Sequence, residues 1–179
     1  MLVLMRTVTY VLFFAGLVPI FLPAKVLSWS GVGRPAAMGW VQLAGIAIGG
    51  VGLLLALACV AVFVRVGKGT PAPFDPPRRL VIGGPYQYVR NPMFLGAGVA
   101  VGGAALYFES LELLLFAMGF LAVAHAIVML YEEPVLRRTF GQEYEAYCRR
   151  VHRWLPELHR AGARHRDAVA ASPAAARKR

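Results

Sequence analysis

Glu132 and Glu133 stand side by side directly after an apolar run that ends at Tyr131. A carboxylate at the C-terminal end of a helix opposes the helix dipole, which favours cations there. Two adjacent carboxylates therefore need a partner. Either Arg137 and Arg138 compensate them, or one of them binds something cationic or hydroxyl-bearing. A second candidate segment is Gly83-Gly84-Pro85-Tyr86-Gln87-Tyr88-Val89-Arg90-Asn91-Pro92, a sharp turn followed by two tyrosines, an arginine and an Asn-Pro pair. Asn is a good N-cap and Pro suits the first helical position, so a helix should open here. Its free backbone N–H groups would suit a carboxylate or a ring nitrogen. The plainer reading makes the tyrosines interfacial anchors and Asn91 only a cap. His125 lies seven residues before Glu132, about two helical turns, so both could face one groove. It is a candidate general base, or a packed histidine bonded to a neighbouring carbonyl.

The elements that position these residues follow from composition. A chain of 179 residues has room for one domain. With 58% hydrophobic and 16% charged residues, it is too apolar for disorder and an improbable water-soluble globule. Four apolar runs stand out: Thr7 to Leu27, broken by Pro19, Pro23 and Lys25; Met38 to Val64, free of charge; the glycine-rich Met93 to Phe108; and Leu113 to Tyr131, with His125 its one polar interruption. A bilayer core takes about 20 apolar residues in helical form, so four transmembrane helices are expected. The first run has no clear small-x-small cleavage site after it and reads as a retained helix. Four prolines between Pro71 and Pro77 exclude a helix there. Cys59 and Cys148 form neither a disulfide framework nor a zinc pattern, and no metal site is expected.

The formal charge of +10 is distributed unevenly. With four spans, the N-terminus, the Arg65–Arg90 loop and the tail share one side, which carries 17 of the 19 Lys and Arg residues. The positive-inside rule makes that side cytoplasmic, both termini included, in an integral membrane protein assigned to a bacterial inner membrane. The excess charge is then a matter of topology, and nucleic acid is not an expected partner. Residues 1–158 form the membrane domain; residues 159–179 read as a basic, disordered cytoplasmic tail facing anionic lipid. Phe140, Tyr144, Tyr147, Val151 and Leu155 recur at helical spacing, predicting a C-terminal amphipathic helix. Gly45 and Gly49 in the second run, and Gly98 and Gly102 in the third, are each four apart and predict faces of close helix packing. The fold class expected is all-α: an integral membrane bundle of about four transmembrane helices with a C-terminal amphipathic helix.

Taken together and in this order, the two segments resemble those of the isoprenylcysteine carboxyl methyltransferase and phospholipid methyltransferase superfamily. The first block stands as Gly84-Pro85-Tyr86-Gln87-Tyr88-Val89-Arg90-Asn91-Pro92-Met93-Phe94-Leu95-Gly96, and the second runs from Glu132 to Pro156. The motif-bearing part is residues 67–156, half the chain. The resemblance implies S-adenosylmethionine as cofactor, contacted by Leu80, Val81, Tyr86, Asn91, Pro92, Met93, Phe94 and Glu132, with Glu132 partnering the cofactor's polar end. With the site at the membrane edge and no large soluble domain, the expected partners are a lipophilic methyl acceptor entering from the bilayer and membrane lipids. Three positions depart from the family pattern: Asn91 replaces the usual His, Phe94 the usual Tyr, and Val128 stands where the carboxyl methyltransferases carry a substrate-binding Arg. Methyl transfer requires an electron pair held about 3–3.5 Å from the methyl carbon. A carboxylate or thiolate acceptor needs no base, whereas an amine must first lose a proton, the step for which His125 is a candidate. The alternative is a non-enzymatic membrane protein whose basic tail binds lipid or a partner.

Overall fold

The computed structural model describes residues 18–62, 65 and 80–156. The first apolar run up to residue 17, the proline stretch 71–77 and the basic tail 159–179 lie outside the described residues. Within them the order is α1 (Leu22–Ser30), α2 (Trp40–Val62), a 3-10 turn (Gly84–Gln87), α3 (Pro92–Phe108), α4 (Leu111–Ile127), a π-helical turn (Val128–Glu132), α5 (Glu133–Phe140) and α6 (Gln142–Cys148). One isolated parallel bridge joins Val89 to His152. The chain is all-helical over the described residues.

Local chemistry sets the helix limits. Pro92 occupies the first turn of α3, where its missing N–H costs nothing. The Ser110 hydroxyl accepts from Leu113 N at 3.2 Å, capping α4, and donates to Glu112 Oε2 at 2.8 Å. Gly141 separates α5 from α6 at φ 50°, ψ −123°, a conformation that side chains resist. The predicted amphipathic stripe is therefore folded at a corner into two short helices. Tyr144, Tyr147 and Val151 of that stripe pack together with Leu80, Leu136 and Phe140, while Leu155 is exposed.

Among the described residues two helical stretches are long and apolar enough to cross a membrane: Trp40–Val62, 23 residues, and the continuous run Leu111–Phe140, 30 residues. Only 17% and 22% of their most apolar windows are buried inside the protein. Leu43, Val51, Leu54 and Leu57 on α2, and Leu114, Leu115 and Met118 on α4, are exposed. A soluble core helix buries such residues, so these faces need an apolar solvent. At 17 residues α3 is shorter, and it packs its glycines on α2.

That packing is backbone on backbone. A methyl group at Gly45 would lie 2.6 Å from Tyr107 N and 2.7 Å from Gly103 O. One at Gly52 would lie 2.6 Å from Gly96 O, and one at Gly103 would lie 2.6 Å from Gly45 O and collide with Gly49 N. The α2 face expected from Gly45 and Gly49 extends to Gly52. On α3 the contact face is Gly96, Ala100 and Gly103 rather than Gly98 and Gly102. Gly98 instead faces Leu121 of α4, and Gly102 meets nothing within 4 Å. At the end of the bundle formed by the α3–α4 turn, buried Gln42 takes the Gly39 N–H at 3.0 Å and donates to Glu109 Oε1 at 2.7 Å. Glu109 caps the C-terminus of α3 with a left-handed φ of 50°, a position where glycine is usual.

Gly103→Val should destabilise the protein by about 1–3 kcal/mol or more through overpacking. Gly102→Ala should be neutral or gain up to ~1 kcal/mol from reduced backbone freedom. Thermal unfolding of both variants in one detergent, followed by circular dichroism, compares them directly.

Candidate functional site

Residues 111–130 of the last long helix cover about 30 Å, enough to cross a hydrocarbon core, so Glu132 and Glu133 lie beyond its end. The π-helical turn ends at Glu132 and α5 begins at Glu133. Such turns are uncommon and cluster at functional sites. At the same end of the bundle lie the opening of α3, the Gly84–Gln87 turn, α6 and the non-helical segment 151–154.

The two glutamates have different surroundings. Glu133 is buried and takes a bidentate pair from Arg153, Nε to Oε1 at 2.7 Å and Nη2 to Oε2 at 3.0 Å. Arg90 Nη1 approaches the same Oε1 at 3.2 Å and donates to Cys148 Sγ at 2.8 Å. Burial alone would raise the Glu133 carboxyl, but the Arg153 hydrogen bonds and the charges of Arg90, Arg153 and Arg137 outweigh it and hold it below its ordinary value. Arg137 itself pairs with Glu145. Among the described residues no cation pairs with Glu132. Burial, followed by the charge of Glu133, pushes its carboxyl up to about 7. The two possibilities open at the sequence level thus fall on different residues: compensation on Glu133, an unmet carboxylate at Glu132. The compensating cations are chiefly Arg90 and Arg153.

The first motif segment is tied to the second at several points. Arg90 N donates to His152 O at 2.9 Å, and Asn91 N to Arg153 O at 3.3 Å. Asn91 is buried at the N-cap position of α3, yet its side chain makes no capping bond; Nδ2 reaches the Arg153 carbonyl at 3.4 Å instead. Tyr147 donates its hydroxyl to Tyr86 O at 2.6 Å, and the Tyr86 phenol is hydrogen-bonded to Cys59 of α2. Val81 and Tyr86 are buried with Cys59, with Met93 against them, and Leu80 packs on Tyr144, Tyr147 and Val151. Pro92 is fully buried, and Phe94 lies 6.3 Å from Phe120 in a tilted ring pair. Leu80, Val81, Tyr86, Asn91, Pro92, Met93 and Glu132 are thus all at one end of the bundle, while Phe94 points along α4 into it.

His125 Nδ1 accepts the indole N–H of Trp154 at 3.0 Å. Tryptophan can only donate, so Nδ1 carries the lone pair and the neutral ring is protonated at Nε2. Val128 is fully buried. Arg90 carries a further signature: its buried Nε has no hydrogen-bond partner. An orphaned guanidinium N–H is costly and marks a place for an acceptor. Sequence reasoning named neither Arg90 nor Arg153 as a site residue. The available signal was their place inside the two motif segments, Val89-Arg90-Asn91-Pro92 and Arg153-Trp154-Leu155-Pro156.

The arrangement joins a half-buried carboxylate that no cation of the described residues meets to an arginine whose buried Nε lacks an acceptor, beside an apolar wall. A family model described as phospholipid methyltransferase matches residues 40–143, a stretch that includes α2 through α5 with Arg90, Asn91, His125, Glu132 and Glu133. No curated protein and no solved structure matches the chain at a significant level. The matched stretch covers more than half of the 179 residues and includes both halves of the site, and the chain belongs to the phospholipid methyltransferase family.

Proposed function

We propose that the chain is an integral membrane methyltransferase that uses S-adenosylmethionine and modifies a lipophilic acceptor reaching it from the bilayer. Its four spans keep both termini and the site on the cytoplasmic face, in a bacterial inner membrane. The observation that carries this reading is a pair of groups unmet among the described residues, Glu132 without a cation and Arg90 Nε–H without an acceptor. The methionine end of the cofactor is a zwitterion, with an ammonium for Glu132 and a carboxylate for Arg90. Leu80, Val81, Tyr86, Asn91 and Met93 supply apolar and backbone surface for the nucleoside, with Pro92 and Phe94 opening the helix beside it. The residues fit the group.

When bound, the cofactor supplies an electrophilic methyl on a sulfonium. The protein's part is to orient that end, exclude water and admit the acceptor, since positioning provides much of the rate in such displacements. A carboxylate acceptor would meet fully buried Val128 where the carboxyl methyltransferases have an arginine, so the isoprenylcysteine-like acceptor lacks its usual partner. An amine acceptor needs a base, and His125 is the candidate; its lone pair becomes available once the Trp154 bond opens. A His125→Gln variant with an unchanged rate and pH profile would remove it from that role.

Saturable binding of S-adenosylmethionine by the full chain in nanodiscs tests the reading, and its absence overturns it. Incubating membranes with methyl-labelled cofactor and sorting the products into base-labile esters and stable N- or S-methyl species identifies the acceptor class. The pH dependence has a definite sign. Folding raises the Glu132 carboxyl, a cost present above pH about 7 and relieved below the ordinary carboxylate range, and a bound cation offsets that cost. Because the cation requires the ionised form, affinity should fall by up to about tenfold per pH unit below 7. Glu132→Gln should bind weakly and lose this pH dependence, as read by isothermal titration calorimetry from pH 5 to 8.

A further inference from the structure

The proposed site is assembled from two segments some forty residues apart in sequence, Asn91 to Phe94 and Glu132. A third segment holds them together, and within it one residue reaches both. The main-chain carbonyl of Arg153 accepts from Asn91 N at 3.3 Å and from Asn91 Nδ2 at 3.4 Å. Its guanidinium grips both oxygens of Glu133, the neighbour of Glu132, at 2.7 and 3.0 Å. The bonds on either side, Arg90 N to His152 O and Trp154 to His125, hold the same strap against α3 and α4. We propose that Arg153 is a positioning residue that sets the spacing between Asn91 and Glu132, and so the fit of the cofactor's amino-acid end; this rests on the cofactor reading above.

The guanidinium fork is planar and grips the carboxylate in one orientation, which a lysine ammonium cannot reproduce. Through Glu133 it constrains the turn that presents Glu132. Arg90 also bridges the two halves, with one nitrogen on Glu133 and its backbone next to Asn91. Its orphaned Nε, however, gives Arg90 a ligand-binding part as well, so substituting it would disturb both roles. The two oxygens that Arg153's guanidinium binds both belong to Glu133. Any substitution at 153 retains the carbonyl that holds Asn91, so the side chain's contribution can be removed alone.

The experiment measures affinity of the full chain in nanodiscs for two probes: S-adenosylmethionine, and 5′-methylthioadenosine, which lacks the amino-acid end. Arg153→Gln should weaken S-adenosylmethionine about tenfold or more, as expected for a misplaced binding group. Its 5′-methylthioadenosine affinity should stay within about twofold of the original, because the nucleoside wall is untouched. Glu133→Gln should give the same split, and the double variant should be no worse than either single one. Arg153→Lys, which keeps the charge, should show a smaller loss of the same kind and serves if the Gln variant does not fold. Equal weakening of both probes would make Arg153 merely structural, and no change in either would remove it from the site; both results overturn the proposal while leaving the cofactor reading intact. Failure of the unmodified chain to bind S-adenosylmethionine overturns both.

Discussion

A carboxylate buried just beyond an apolar helix must be matched or it will not stay ionised. Glu133 is matched by two arginines from two other segments, and the architecture of this end of the protein follows from that requirement. Arg90 precedes the opening of α3, and Arg153 belongs to the strap after α6. Satisfying one buried charge therefore gathers three stretches of chain that lie far apart in sequence. With Glu133 satisfied, Glu132 is left over, and an unmatched carboxylate in the same low-dielectric corner is what a cationic ligand can exploit. The neighbours divide the work: one organises, the other is held in reserve.

The glycine interface between α2 and α3 solves a different problem. In lipid there is little hydrophobic gain from bringing two helices together, so close approach must be favourable in itself. Gly45, Gly49 and Gly52 against Gly96, Ala100 and Gly103 let the two backbones touch. The start of α3 is thereby fixed in depth relative to α2, which also contributes Cys59 to the wall around Tyr86. Packing deep in the bundle thus decides where Asn91 and Met93 stand at its end.

Much of this was legible from residue types. The Asn-Pro pair marks the start of α3, the charge-free run marks α2, and the acidic pair marks where the last long helical run leaves its apolar stretch, although the run itself continues to Phe140. What local pattern could not convey was choice of partner. Gly96, Gly98, Gly102 and Gly103 offer several faces, and only the tertiary arrangement shows that Gly98 turns to α4 while Gly96 and Gly103 turn to α2. The stripe from Phe140 to Leu155 has helical spacing throughout, yet Gly141 folds it at a corner and Val151 continues it outside any helix. Asn91 was readable as a cap, but a longer-range acceptor, the Arg153 carbonyl, takes its side chain. The pairing of Glu133 with arginines 43 positions before it and 20 after it leaves no local trace.

The π-helical turn at Val128–Glu132 has a broader effect on the thirty-residue run that contains it. An ordinary helix advances each side chain by a constant angle, so the azimuth of its first residue dictates that of its last. A single widened turn breaks that bookkeeping by inserting a phase slip between the lipid-facing barrel of the rod and its charged tip. The two ends can then be aimed independently: the barrel toward hydrocarbon, the tip toward whatever the acidic pair must meet.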